Sequence, residues 1–182
     1  WKNKSERNGL NFIDLFSGIG GIREGFEQAA RDKGLNPLCV FTSEIKESAI
    51  KVFNQNHPGE AITGDITKVD PSSIPDFDVL LAGFPCQAFS SAGRRQGFND
   101  TRGTLFFNVA SILETKKPFG FVLENVEGLI NHDMEHAEKG AKIGHTLSVI
   151  LRTLKSLGYQ VSWKVLNACE YGVPQERKRI YI

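Results

Sequence analysis

Cysteine is scarce in this chain: three in 182 residues, at Cys39, Cys86 and Cys169. An odd, widely spaced set cannot form a disulfide framework, and it fits a reducing compartment such as the cytoplasm. Long apolar runs are also missing. No stretch approaches the ~18 residues that a membrane-spanning helix needs, and no secretory signal is recognisable, so no membrane partner is expected. Neither sign of charge dominates, since 22 basic side chains stand against 21 acidic ones for a net charge of +1. There is thus no global electrostatic pull toward nucleic acid, and such a partner would have to be held by local basic clusters. Metal-ligand patterns are lacking too. His132 and His136 are four apart and His145 follows, but no HExxH pattern or cysteine pair accompanies them, so no metal is expected.

What is present is the pattern of one globular α/β domain with a sizeable core. Residues 1–10 are polar and read as a flexible tail. Residues 11–16 read as a short buried strand that runs into Ser17-Gly18-Ile19-Gly20-Gly21. A helical pattern follows, with Ile22, Phe26 and Ala29/Ala30 on one face and Gly34 as its stop. Strand, glycine turn and helix open a nucleotide-binding βαβ unit, in which glycines let a ligand approach the main chain; the same turn can also exist without a ligand. A second strand, 38–42, ends at Ser43-Glu44 and is followed by a helix marked by Ile45, Ala49, Val52 and Phe53. An acidic side chain at that distance past the glycines suits two ribose hydroxyls, or else serves the helix N-terminus. A third strand, 61–63, ends near Asp65, an acceptor for an adenine amino group or a simple N-cap.

The fourth strand, 79–82, is a buried apolar run that leads into Gly83-Phe84-Pro85-Cys86-Gln87. Pro85 ends the ladder and sets Cys86 just past a carboxyl strand end, where open α/β sheets place their ligands. Cys39 and Cys169 read instead as packing residues. The loop after Cys86 holds Arg94, Arg95 and Arg102 among glycines, suited to phosphate contacts or simply solvated. A helix over 104–115 buries Leu105, Val109, Ile112 and Leu113. The fifth strand, 119–123, ends at Glu124-Asn125-Val126, where a partly desolvated acid is a candidate proton donor. An amphipathic helix spans 146–157 with Leu147, Ile150, Leu151 and Leu154 inward. A sixth strand covers 160–166, and Gln175-Glu176-Arg177-Lys178-Arg179 leads into a last one, 180–182. If extended, Arg177 and Arg179 point the same way.

In their order, these segments resemble the DNA cytosine-5 methyltransferase family. Asp14-Leu15-Phe16-Ser17-Gly18-Ile19-Gly20-Gly21 is similar to its cofactor-binding FxGxG motif, Pro85-Cys86-Gln87 to its nucleophile motif, Glu124-Asn125-Val126 to its ENV motif, and Gln175, Arg177 and Arg179 to its QxRxR motif. The resemblance covers residues 11–182. It implies a Rossmann-like S-adenosylmethionine-dependent methyltransferase fold, with a seven-stranded, mostly parallel sheet, an antiparallel last strand and helices on both faces. It implies a cofactor site made by Phe16, Gly18, Ile19, Gly20, Gly21, Glu44, Ile45, Asp65, Ile66, Pro85 and Leu105, and a substrate site made by Phe84, Gln87, Ser90, Arg94, Arg95, Asn125, Val126 and Gln175. Cys86 would attack C6 of a cytosine flipped out of double-stranded DNA, Glu124 would hold or protonate N3, Arg179 would bind O2, Arg177 would support the nucleotide, and the loop from Gln87 to Arg102 would close over the base. The chain reads as the catalytic lobe of a longer monomeric enzyme of a restriction-modification or DNA-methylation system. On this reading its target-recognition region and last motifs lie elsewhere. A tRNA cytosine-5 methyltransferase, an inactive cofactor-binding homologue and a nicotinamide-dependent oxidoreductase are the alternatives.

Overall fold

The computed structural model describes residues 9–85 and 105–182. Among these residues are six strands and four α-helices: β1 Gly9–Leu15, α1 Gly21–Asp32, β2 Asn36–Ser43, α2 Glu47–Asn56, β3 Val79–Ala82, α3 Leu105–Lys116, β4 Gly120–Val126, α4 His145–Ser156, β5 Lys164–Asn167 and β6 Lys178–Tyr181. The chain divides into two compact units, one of Trp1–Gly83 with Thr115–Val122, the other of Phe84–Glu114 with Leu123–Ile182.

In the first unit β1 is parallel to both β2 and β3, with Ile13 opposite Phe41 on one side and Leu80 on the other. A strand paired on both sides and covered on both faces needs a continuous apolar run. Phe12, Ile13 and Leu15 supply it in β1, Leu80, Leu81 and Ala82 in β3, and all are fully buried. The expected third strand, 61–63, is instead a single parallel bridge between Ser43 and Thr63. The Thr63 N–H donates to Thr42 O at 2.8 Å and the Glu44 N–H to Thr63 O at 3.1 Å. With glycines at 59 and 64 on either side, the segment is too short to extend that ladder. Six strands therefore stand among the described residues where the sequence pattern suggests seven.

Helix α1 departs from its expected inward face. Arg23, Glu27 and Ala30 are buried, at i, i+4 and i+7. Ile22 and Phe26 are half-buried and Ala29 is exposed. The Arg23 guanidinium lies 5.8 Å from the Phe12 ring centroid and 5.7 Å from that of Phe53. Its Nε donates to Glu27 at 2.7 Å and one terminal nitrogen to Glu60 at 2.7 Å. Arg31 also pairs with Glu27. A buried charge is tolerable when it is hydrogen-bonded to opposite charges and aromatic faces flank it, and Arg23, 5% exposed, meets both conditions. In α2 the buried residues are Ala49 and Phe53. Of the four residues expected to mark this helix, Ile45 precedes it and Val52 faces solvent.

The second unit takes the closing residues of β4, then β6, then β5. β6 is antiparallel to both neighbours, as expected of the last strand. Leu123 and Ile182 exchange two backbone hydrogen bonds of 2.9 Å. The sixth expected strand, 160–166, is shortened to β5 because β6 offers only four residues to pair with, from Lys164 opposite Tyr181 to Asn167 opposite Lys178. Leu123, Leu129, Leu147, Ile150, Leu154 and Ile180 form the core, and α3 buries Phe106, Val109, Ile112 and Leu113. Among the described residues no helix is long and apolar enough to cross a membrane.

Near the end of β1, Asp14 is 1% exposed and its Oδ2 has no hydrogen-bond partner. Burial pushes its carboxyl from the ordinary 3.8 up to about 7, against the opposing pull of Arg23. Between those values the folded state holds a proton that the unfolded chain has released. Stability therefore falls as pH rises through that window. Asp14→Asn, which cannot ionise, should flatten the decline when urea unfolding is followed at a series of pH values; an unchanged slope would show that Asp14 does not titrate there. Arg23→Ala leaves Glu27 and Glu60 without their buried partner and should cost about 3 kcal/mol of unfolding free energy. A loss below about 1 kcal/mol would place the network among the weak surface pairs.

Candidate active site

The first cluster of expected site residues lies at the carboxyl ends of β1 and β2, in the first unit. The turn after β1 is built from left-handed residues: Phe16 at φ 55°, Gly18 at φ 57° and Gly20 at φ 94°. Phe16 is a bulky residue in a region that favours glycine, a strained conformation that the surrounding structure must hold. A Cβ on Gly20 would stand 2.9 Å from His57 Nε2, so the turn can pass there only as glycine. At Gly18 a Cβ would meet nothing within 4 Å, which leaves the main chain open to a ligand. The Gly20 N–H donates to Ser17 O at 2.9 Å and the Ser17 N–H to Ser43 O at 3.1 Å, tying the turn to β2. The buried Ser17 Oγ has no hydrogen-bond partner.

Glu44 is the clamp of this turn. One carboxylate oxygen accepts from the Gly18 N–H at 2.8 Å, the other from the N–H groups of Ile45 and Lys46, both at 2.8 Å. The carboxylate serves the approach to α2, one of its two expected roles, and also ties the glycine turn to it. A carboxylate has about four lone-pair sites, so three bonds leave room for one more. Ile19, within the turn, and Ile45, next to Glu44, are 55% and 68% exposed. Asp65 caps the short turn Ile66–Lys68, accepting on Oδ1 from the Thr67 N–H at 3.0 Å and hydroxyl at 2.7 Å. Those bonds, the hydroxyl first, hold its carboxyl below the usual range. Its Oδ2 has only Lys68 nearby, at 3.9 Å. Ile66 is buried, so its side chain belongs to the core and not to a ligand surface.

The second cluster lies in the second unit. Glu124 and Arg179 form an ion pair, Oε1 to Nε at 3.0 Å, with side chains 18% and 22% exposed. Register explains the pair. Glu124 faces Tyr181 and Val126 faces Arg179 across β4 and β6, so Glu124 and Arg179 are diagonal neighbours on one face. Asn125 points to the other face. It is 3% exposed, and its Nδ2 donates to Phe84 O at 2.8 Å. Its Oδ1 accepts from the Val126 N–H at 2.8 Å. The side chain that sequence reading gave to the substrate is therefore turned inward, onto the backbone two residues before Cys86. Phe84 is likewise a core residue, its ring centroid 5.7 Å from that of Phe106. Pro85 and Val126 are exposed and Leu105 is half-buried. Gln175, Arg177 and Arg179 line one concavity of about 440 Å³ with Glu127, Glu176 and Lys178. Cys86, Gln87, Ser90, Arg94 and Arg95 lie outside the described residues.

Of the histidines weighed as metal ligands, His132 Nδ1 bonds to Thr146 Oγ1 at 2.8 Å. Asp133, Glu135 and His136 bring their ligand atoms within 4.8 Å of one another, on a largely exposed turn. Asp14 and Ser17 stand in the quoted glycine motif, but their burial and their unpartnered Oδ2 and Oγ are not among the roles expected from the sequence. The only signal for Asp14 was an acid inside an apolar strand.

A family model for C-5 cytosine-specific DNA methylase matches residues 10–182. Type II methyltransferase M.NgoBV of Neisseria gonorrhoeae is 65% identical over 173 residues, which are 95% of this chain and 40% of that protein. Type II methyltransferase M.NlaIV of Neisseria lactamica is 64% identical, with the same 95% and 40% coverage. The chain thus spans about two fifths of the length of these two relatives. Among solved structures, a mutant of Spodoptera frugiperda DNMT2 aligns with TM-score 0.68 and 25% identity over 94% of this chain and 48% of that one. The S. pombe Dnmt2 methyltransferase gives 0.65 and 21% over 94% and 47%, a likeness of fold. The fold is the Rossmann-like α/β fold of methyltransferases, and the chain belongs to the C-5 cytosine-specific DNA methylase family.

Proposed function

We propose that this chain carries the chemistry of a DNA cytosine-5 methyltransferase that uses S-adenosylmethionine. The observation that supports the reading most is in the second unit. There an acid, Glu124, is paired with Arg179, and the neighbouring Asn125 holds the backbone that leads to Cys86. The names of its relatives, type II methyltransferases, support a place in a type II system, and the matching family model, C-5 cytosine-specific DNA methylase, supports DNA as the substrate. A family model described by DNA, matching nearly the whole chain, favours DNA over the tRNA reading. Residues 11–182 are then the catalytic domain of the full-length protein, acting in the cytoplasm on double-stranded DNA as a monomer.

The first unit fits the cofactor. The open main chain at Gly18, the remaining acceptor capacity of Glu44, the Asp65 Oδ2 whose ion pair with Lys68 is long at 3.9 Å, and the exposed Ile19 and Ile45 suit a ligand with a ribose, an adenine and an apolar ring face. Phe16, Gly20 and Gly21 shape the turn that receives it. When bound, this cofactor supplies a methyl group on a positively charged sulfur, ready for transfer.

The chain's own residues make cytosine able to take that methyl. The Cys86 thiolate adds to C6, and the electron pair displaced from the C5–C6 bond makes C5 nucleophilic. Glu124 holds or protonates N3 to keep negative charge off the ring, and Arg179 binds O2. Arg177 supports the nucleotide and its phosphate. After C5 is methylated it loses its proton, and the C6–S bond breaks to return Cys86. The target base is reached by flipping it from the duplex, which costs a few kcal/mol.

The full-length protein should form a covalent adduct with DNA carrying 5-fluorocytosine, because fluorine at C5 cannot leave as a proton does. An adduct that persists in Cys86→Ser would remove Cys86 as the nucleophile. Glu44→Ala should weaken S-adenosylmethionine binding about tenfold by calorimetry, through loss of one hydrogen bond to the ligand and of the clamp on Gly18. Unchanged affinity would take Glu44 out of the site.

A further inference from the structure

The loop that delivers Gln175 and Arg177 joins β5 to β6, and one buried side chain spans its ends. Asn167 is the last residue of β5 and directly precedes the short turn Ala168–Tyr171. An asparagine there would ordinarily cap the turn that follows it. Asn167 makes no such cap. Its Oδ1 instead accepts from the backbone N–H of Arg177 at 2.9 Å, ten residues away. The next residue completes the clasp: the Ala168 N–H donates to Arg177 O at 3.1 Å. The ladder between β5 and β6 ends at Asn167 opposite Lys178, so Arg177 lies one residue beyond it. Both of its backbone polar groups are nonetheless held.

We infer that Asn167 is a positioning residue for Arg177, fixing the main chain from which that arginine reaches the substrate nucleotide; the inference rests on the functional reading above. Arg177 is exposed and touches the concavity it shares with Gln175 and Arg179. A long side chain on an unpaired backbone would sweep that space. With the N–H tied to a carboxamide that is 9% exposed, only the side-chain torsions remain free, and less entropy is lost when the guanidinium meets a phosphate. The carboxamide oxygen is the working group. An aspartate can still accept from the Arg177 N–H, whereas a leucine of similar size cannot.

The test uses the full-length protein. Asn167→Leu should weaken binding to the DNA substrate about tenfold, and the slope of log affinity against log salt should shrink by about one, the signature of one lost phosphate contact. Affinity for S-adenosylmethionine should stay at the parent value. The double variant with Arg177→Ala should bind no more weakly than Arg177→Ala alone, and Asn167→Asp should recover the parent slope. Additive losses, or an unchanged slope, would overturn the inference. Hydrogen exchange in the unsubstituted protein is independent of any folding defect in the variants. The Arg177 amide should exchange slowly, and exchange at the rate of an open loop would overturn the assignment. The 5-fluorocytosine adduct of the parent protein reports separately on the functional reading, so a failure there is not confused with a failure of Asn167.

Discussion

A strand that ends leaves backbone donors and acceptors without a ladder, and each must find another partner. This protein meets that constraint with side chains placed at strand ends. Glu44, just past β2, takes the N–H of Gly18. Asn125, one residue before the end of β4, donates to the carbonyl of Phe84. Asn167, closing β5, takes the N–H of Arg177. In each case a side chain far along the sequence fixes a loop that carries expected chemistry: the glycine turn, the approach to Cys86, the arginine segment. A backbone held by a directional bond of this kind stays in one place while the loop surface is free to change.

Buried charge in the first unit follows a related logic. Arg23 is worth having inside because its bonds go to Glu27 and Glu60 and its flanks go to Phe12 and Phe53. Removing a partner exposes the full desolvation cost of what remains, while the intact set adds little net stability. Asp14 is the contrary case. Its Oδ2 lacks a partner and desolvation outweighs the pull of Arg23, so the carboxyl resolves the conflict by holding its proton. The same interior therefore keeps Arg23 ionised and lets Asp14 hold a proton up to a pH of about 7, because desolvation of the carboxyl outweighs the pull of Arg23.

The central strands were legible because a doubly covered strand leaves an unbroken apolar run, as in Val79–Ala82. The motif residues were legible because chemistry restricts residue type at fixed spacing. The face of α1 was not. Arg23 and Glu27 four apart look like a solvated pair, and only the third dimension brings Glu60 and two aromatic rings to them. Segment 61–63 has strand composition but meets its neighbour at one bridge, since composition says nothing of how many partner residues are within reach. Asn125 is expected at the substrate from its motif, while its side chain bonds to the Phe84 carbonyl. Its place in the sequence could not show that alternation across β4 sends its side chain to the face opposite Glu124.

That alternation has a consequence for the chemistry. On β4 one residue, Glu124, sits with Arg179 on one face, and the next, Asn125, reaches the Phe84 carbonyl on the other. The strand thus couples an acid to an inward anchor through a single peptide unit. A shift of β4 by one residue would exchange the faces, burying Glu124 without its arginine and sending the carboxamide away from the backbone it holds. A buried unpaired acid is far costlier than a misplaced amide, so the Glu124–Arg179 pair selects the register, and the register then places Asn125. The adjacency of the two residues is in this sense a physical requirement. One polar pair specifies the pairing of β4 with β6, and the neighbouring side chain uses that pairing to hold the segment leading to Cys86.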